Sequence, residues 1–187
     1  MHCRNAAAEY ITTDPREATE QKLLLQWIDQ YPQTILLRTN SFAHMTASAM
    51  IFNPSMTKTL MVYHKIYDSW SWTGGHADGE ADMMQVALRE AQEETGLIRL
   101  SPITDRPTGL DILPVKGHFK KGSWIPAHIH LSLCYSFFAD EDQTLRCKPD
   151  ENSGVRWIKI DDLQDFVSEP DMLPIYERII RRTRTHL

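Results

Sequence analysis

Positive charge is scarce in this chain: 20 lysines and arginines stand against 25 aspartates and glutamates, for a net charge of -5. That balance argues against a nucleic-acid-binding surface as the main business of the protein. Cysteine is scarcer still. Cys3, Cys134 and Cys147 are odd in number, widely spaced and without a Cys-x-x-Cys pair. They point to a reducing cytosol and leave no disulfide framework or zinc knuckle. The longest strongly apolar run, residues 131–139, is too short to span a bilayer and already contains Ser132 and Ser136. No hydrophobic segment follows the first four residues, so no secretory signal is expected. Repeats, linkers and low-complexity tracts are missing too. The expectation is a soluble cytoplasmic protein that binds neither nucleic acid nor membrane. Its 187 residues, 42% hydrophobic and 24% charged, suffice for one domain with an extension.

What the chain does have is concentrated between positions 74 and 97, which read GGHADGEADMMQVALREAQEETGL. Glu90, Glu93 and Glu94 lie three and four residues apart, a spacing that stacks them on one helical face. Like charges crowded there repel, so some helix stability is given up for another purpose. A divalent hard cation is the natural compensation, since Mg²⁺ prefers carboxylate oxygens and shares its shell with substrate phosphates. Mn²⁺ would serve as well. Such a site polarises a phosphoryl oxygen and lowers the pKa of a bound water. The Gly74-Gly75 pair reads as a loop, where either residue, without a side chain, lets a backbone carbonyl approach the metal.

The same stretch closely resembles the Nudix box, Gly-x5-Glu-x7-Arg-Glu-U-x-Glu-Glu-x-Gly-U with U aliphatic. Gly75, Arg89, Glu90, Ala91, Glu93, Glu94, Gly96 and Leu97 are all in register. The first half departs from it: Ala81 stands where the motif has Glu, and Gly79 with Glu80 falls one residue early. A loop shortened by one residue and a helix lengthened by one would account for this. The resemblance implies a Nudix-type α/β/α sandwich on a mixed β-sheet, over roughly residues 43–187, with residues 1–42 as a helical extension. It implies a Mg²⁺-dependent hydrolase of a phosphoanhydride in a nucleoside diphosphate derivative or nucleoside triphosphate. Glu90, Glu93 and Glu94 would be metal ligands, Gly74 would offer its carbonyl, and Arg89 would orient the glutamates. Glu151, in a turn-rich stretch before a strand, matches an extra glutamate of several Nudix enzymes, a further ligand or a general base. Asp150 is its fallback.

Other residues carry weaker signals. His128 and His130 share one strand face, a spacing able to bind zinc, but no third ligand stands out. They are expected to line the polar side of a substrate pocket or to make ordinary hydrogen bonds, and His76 to reach the substrate or to shape its loop. Lys116, His118, Lys120 and Lys121 form a basic stretch between two strands, either a grip on substrate phosphates or a solvated hairpin. Trp70, Trp72 and Trp124 could stack a base, but buried packing is the default expectation for each. Arg178, Arg181, Arg182 and Arg184 oppose the dipole of a C-terminal helix.

Periodicity predicts helices over 14–31, 82–95 and 172–184, and strands over 45–52, 59–64, 108–116, 127–139 and 154–160. In the first helix Asp14 and Glu17 form a capping box, and Leu23, Leu24, Trp27 and Ile28 its apolar face. That face packs on the domain or on a second copy of the chain as a homodimer. In the second, Met84, Leu88 and Ala91 make the buried stripe and Gly96 the C-cap. Two alternatives stand beside the hydrolase. A non-catalytic nucleotide sensor of the same fold would need a further basic domain, which is missing. An isopentenyl-diphosphate-isomerase-like enzyme would lose the paired glutamates and carry a cysteine near the box. Here Glu93 and Glu94 remain, and Thr73 precedes Gly74.

Overall fold

A computed structural model describes residues 2–120 and 122–186. In chain order its elements are α1 (Cys3–Ala8), α2 (Pro15–Gln30), β1 (Ala43–Phe52), β2 (Lys58–His64), β3 (Ser69–Ser71), β4 (Thr73–His76) and α3 (Met83–Thr95). Then follow β5 (Ser101–Pro102), β6 (Gly109–Val115), β7 (His118–Lys120), β8 (Ser123–Ile125), β9 (His128–Phe138), β10 (Asn152–Lys159) and α4 (Leu173–Arg184).

β1 is the centre of the sheet, and all ten of its residues are buried. It runs parallel to β9 over ten paired residues and antiparallel to β2 and β4. The main order is β10-β2-β1-β9-β5, with β3 on β2, β4 on β1 and β6 on β9. Burial on both faces requires cover on both faces. On one side Met45, Ala47, Ala49 and Ile51 pack with Val86, Ala87 and Ala91 of α3. On the other, Met50 and Phe52 pack with Ile175, Tyr176 and Ile179 of α4. The result is the expected α/β/α arrangement on a mixed sheet. No described helix is long and apolar enough to cross a membrane.

Several local expectations are corrected. The Gly74-Gly75 segment is not a loop but strand β4, because its backbone pairs with Ala47 and Ser48 of β1. The buried stripe of α3 is Met83, Val86, Ala87 and Ala91, while Met84 and Leu88 are only half-buried. The helix is rotated so that Glu94 also turns inward. In α2, Leu24 and Ile28 are buried but Leu23 is half exposed. Asp14 caps α2 by accepting from the Arg16 N–H, yet Glu17 does not close a capping box. Its fully buried carboxylate accepts hydrogen bonds from the Tyr10 and Thr12 hydroxyls and pairs with Arg178 and Arg182 of α4. Arg178 also reaches the buried Asp111 at 2.6 Å. These arginines therefore tie helix to helix instead of only opposing a dipole. The segment before β1 shares the main core: Cys3, Ala6, Ala7, Leu24 and Ile28 pack with Met45 and Met83.

Candidate active site

Helix α3 starts at Asp82, whose side chain accepts from the Met84 and Gln85 N–H groups. It stops at Gly96, which adopts φ 76°, a left-handed conformation that glycine takes without steric cost. Between these caps, the period of 3.6 carries Glu90 and Glu94 to the side of the helix that faces β4. A β-carbon added at Gly75 would fall inside the Glu90 carboxylate, and one at Gly74 would lie 2.9 Å from the Ala47 carbonyl oxygen and the Ser48 hydroxyl. Backbone contact requires the glycine at position 74, while a side chain at position 75 would displace the Glu90 carboxylate.

Glu90, Glu94 and Glu151 converge, each offering an oxygen within 4.8 Å of the others. Glu94 is 3% exposed and accepts the Gly74 N–H at 3.0 Å. Burial raises its pKa to about 8 against that hydrogen bond, and the charges of Glu90 and Glu151 add to the rise. The carboxylate is short of counter-charge at the place where ligands for a cation are expected. Oxygen donors from three carboxylates suit a hard divalent ion, so the residues fit the Mg²⁺ expectation. Arg89 donates to Glu90 at 2.9 Å and to the His76 carbonyl at 3.3 Å, tying helix to strand.

Glu93 does not join the three. It is half exposed, 3.0 Å from the Lys148 ammonium and 3.9 Å from Arg89 Nε. Lys148 is a residue that sequence reasoning missed. Its Nζ lies 3.0 Å from both Glu93 and Glu151. Partial burial opposes its charge, but the two carboxylates outweigh that and raise its pKa. No motif marks it, because it lies in the loop before β10 and meets the glutamates only through the fold. Glu80 accepts from the Asp82 N–H at 2.8 Å, and no ion pair joins it to Arg89 among the described residues. Its one-residue shift turns it into a local turn contact. Asp150 lines the cavity but is outside the converging set.

The carboxylates open onto a cavity of about 880 Å³. His44, His76, His128 and His130 also line it, so the three histidines expected there do border the cavity. His44 joins them, a residue whose place in a strand gave no signal. Burial, then the neighbouring imidazoles, depress the His130 pKa to about 2. His118, Phe119, Tyr67 and Trp72 also border the space. The basic stretch forms the small hairpin β7–β8. Lys121 lies outside the described residues, as does the side chain of Lys120. Trp70 packs edge-on against Tyr63, while Trp124 is exposed and meets Phe119.

A model of the NUDIX domain matches residues 43–182. The chain belongs to the Nudix family. Its chemical class is accordingly that of hydrolases acting on phosphoanhydride bonds. Solved structures agree on the fold. The Nudix hydrolase RenU of M. smegmatis aligns at TM-score 0.57 and 19% identity, covering 77% of this chain and 88% of that one. The MutT protein of Methanosarcina mazei Go1 gives 0.56 and 12%, covering 78% and 95%. A C. elegans Ap4A hydrolase gives 0.51 and 15%, covering 75% and 95%. No curated protein matches the chain.

Proposed function

We propose that this Nudix hydrolase is a Mg²⁺-dependent pyrophosphohydrolase of a small nucleotide, a nucleoside diphosphate derivative or a nucleoside triphosphate. The observation that carries the reading is the convergence of Glu90, Glu94 and Glu151 beside the glycine pair of β4, lining one large cavity. These three would hold the ion, with the Gly74 carbonyl as a further oxygen donor. A divalent ion bound there supplies charge neutralisation at phosphoryl oxygens and an acidified water.

The chain's own residues do the positioning. Glu90 and Glu94 sit on a capped helix and are braced by Arg89 and by the Gly74 N–H, so their lone pairs are fixed before substrate arrives. Lys148 bridges Glu93 and Glu151 and keeps a positive charge beside the site. The cavity's polar histidine wall and its aromatic border, Tyr67 and Trp72, form the space for the rest of the substrate. Mn²⁺ can replace Mg²⁺ in such an oxygen set. No cysteine is among the cavity-lining residues described, which favours hydrolysis over isomerisation.

The test is a screen of nucleoside diphosphate derivatives and triphosphates with Mg²⁺, following both phosphate and nucleotide products. Metal-dependent cleavage of one class is the expected result. Tight nucleotide binding without any product, in Mg²⁺ or Mn²⁺, would favour the sensor instead.

A further inference from the structure

The four histidines of the cavity wall come from distant parts of the chain, on three neighbouring strands. His44 on β1 is paired in register with His130 on β9, and β4 places His76 opposite Thr46, two residues along from His44. His128 and His130 are two apart on β9 and therefore share a face. One ring nitrogen from each of the four lies within 4.8 Å of the other three. Ring centroids of His44 and His128 are 5.1 Å apart, and those of His76 and His130 4.9 Å.

The hydrogen bonds fix which nitrogens are available. His44 Nδ1 lies 3.0 Å from the Asn40 carbonyl and His128 Nδ1 2.9 Å from the Pro126 carbonyl. A carbonyl only accepts, so both Nδ1 atoms carry the proton, and Nε2 of each neutral ring presents a bare lone pair. His44 is 5% exposed, and its Nε2 is a buried nitrogen with no hydrogen-bond partner. An orphaned acceptor of that kind has a cost unless something fills the place. An Nδ1–H held by a backbone carbonyl, with Nε2 turned inward, is the arrangement that orients histidine for metal ligation. His128 Nε2 and His130 Nε2 are 3.2 Å apart. The edge of a tetrahedron built on Zn–N bonds of the usual length is about 3.3 Å.

We propose that His44, His76, His128 and His130 form a tetrahedral site for a borderline divalent transition metal of the zinc class, separate from the carboxylate set. Nitrogen donors select such an ion over Mg²⁺. Strand β4 divides the two sites: Gly75 faces Glu90, and the next residue, His76, faces the imidazoles. His130 moves its proton to Nδ1 to ligate, and the shell contracts from the spacing seen without an ion. The positive charge of Arg38 acts on His44 and His130, and Asp78 engages Arg38 at 2.7 and 2.5 Å. An ion held by four neutral imidazoles keeps its full charge and presents it to the cavity. The site stands on the histidine geometry and does not depend on the hydrolase reading.

The full chain, stripped with a chelator and kept in excess Mg²⁺, is titrated with Zn²⁺ and separately with Co²⁺. Stoichiometric Zn²⁺ uptake and the intense visible absorption of tetrahedral Co²⁺ are expected in the wild type and equally in Glu94→Gln. His44→Gln and His130→Gln should weaken uptake by at least about 10- to 100-fold, with circular dichroism confirming the fold. If the buried His44 variant does not fold, His76→Gln, on the half-exposed side, carries the same test. The proposal is overturned if the wild type takes up no stoichiometric Zn²⁺. It is equally overturned if uptake disappears in Glu94→Gln while surviving in the histidine variants.

Discussion

Two groups of buried carboxylates lie in this molecule, and their surroundings are opposite. Glu17 and Asp111, both almost inaccessible, are enclosed by Arg178, Arg182 and Arg16, with distances of 2.6 to 3.1 Å and two hydroxyls completing the Glu17 shell. Glu94 is as deeply buried, but its partners are one backbone N–H and two more carboxylates, Glu90 and Glu151. In the first group each negative charge has an arginine and α2, β6 and α4 are tied together, with Asp111 Oδ2 the one carboxylate oxygen of the pair left without a hydrogen bond among the described residues. The second is open to a cavity: Arg89 and Lys148 reach Glu90 and Glu151, but no cation pairs with the buried Glu94 among the described residues. Desolvation of an uncompensated charge has a large cost, so such a group persists where something outside the chain completes it.

The largest effect should come from breaking the first group. Glu17→Ala leaves Arg182 without its carboxylate partner and Arg178 with Asp111 alone, and unfolding in denaturant should show a loss of about 3–5 kcal/mol. A change below 1 kcal/mol would mean the network is better hydrated than the packing indicates. The second test belongs to the open group. Glu94→Gln should lower turnover of the cleaved nucleotide by about 10²–10³-fold, without loss of thermal stability. Wild-type kinetics in this variant would remove the carboxylates from the reaction.

The same residue sets a pH dependence. The folded pKa of Glu94, about 8, lies above the ordinary value of 4.5. A raised carboxyl favours the folded state at low pH, and that advantage is lost as the pH climbs from about 4.5 through about 8. Metal-free protein should therefore lose stability across this window, and Glu94→Gln should lose less. Equal slopes in the two proteins would show that Glu94 is already charged. A smaller effect is expected at Gly75→Ala, where the added methyl displaces Glu90. Overpacking of about 1–3 kcal/mol should appear as weaker Mg²⁺ binding by calorimetry, more than as a lower melting temperature. Lys148→Met should change least, with a modest shift in Mg²⁺ affinity because the removed cation had competed for Glu93 and Glu151.

The legible part of the site was local. Glu90 and Glu94 share a face because a helix repeats every 3.6 residues, and Gly96 ends that helix because only a left-handed residue fits there. Glu151 was visible as an acid in a turn before a strand, and it does join the glutamates. Glu93 was grouped with them by spacing, yet it leans to Lys148, because rotation of α3 is decided by what Val86 and Ala87 pack against. The capping box at Glu17 failed for a related reason: an arginine pair from the far end of the chain outcompetes a local N–H for a buried carboxylate.

The sequence by itself determined the family, the layered α/β class, and the acidic face of one helix, since these depend on residue types at fixed short spacings. The tertiary structure decided the rest. It turned the glycine pair into a strand that Glu90 leans on, supplied Lys148, and assembled His44 and His76 with His128 and His130. Parallel pairing of β1 with β9 joins residues more than eighty positions apart. No local periodicity encodes such a partnership, because it arises only when both strands bury their faces in the same core.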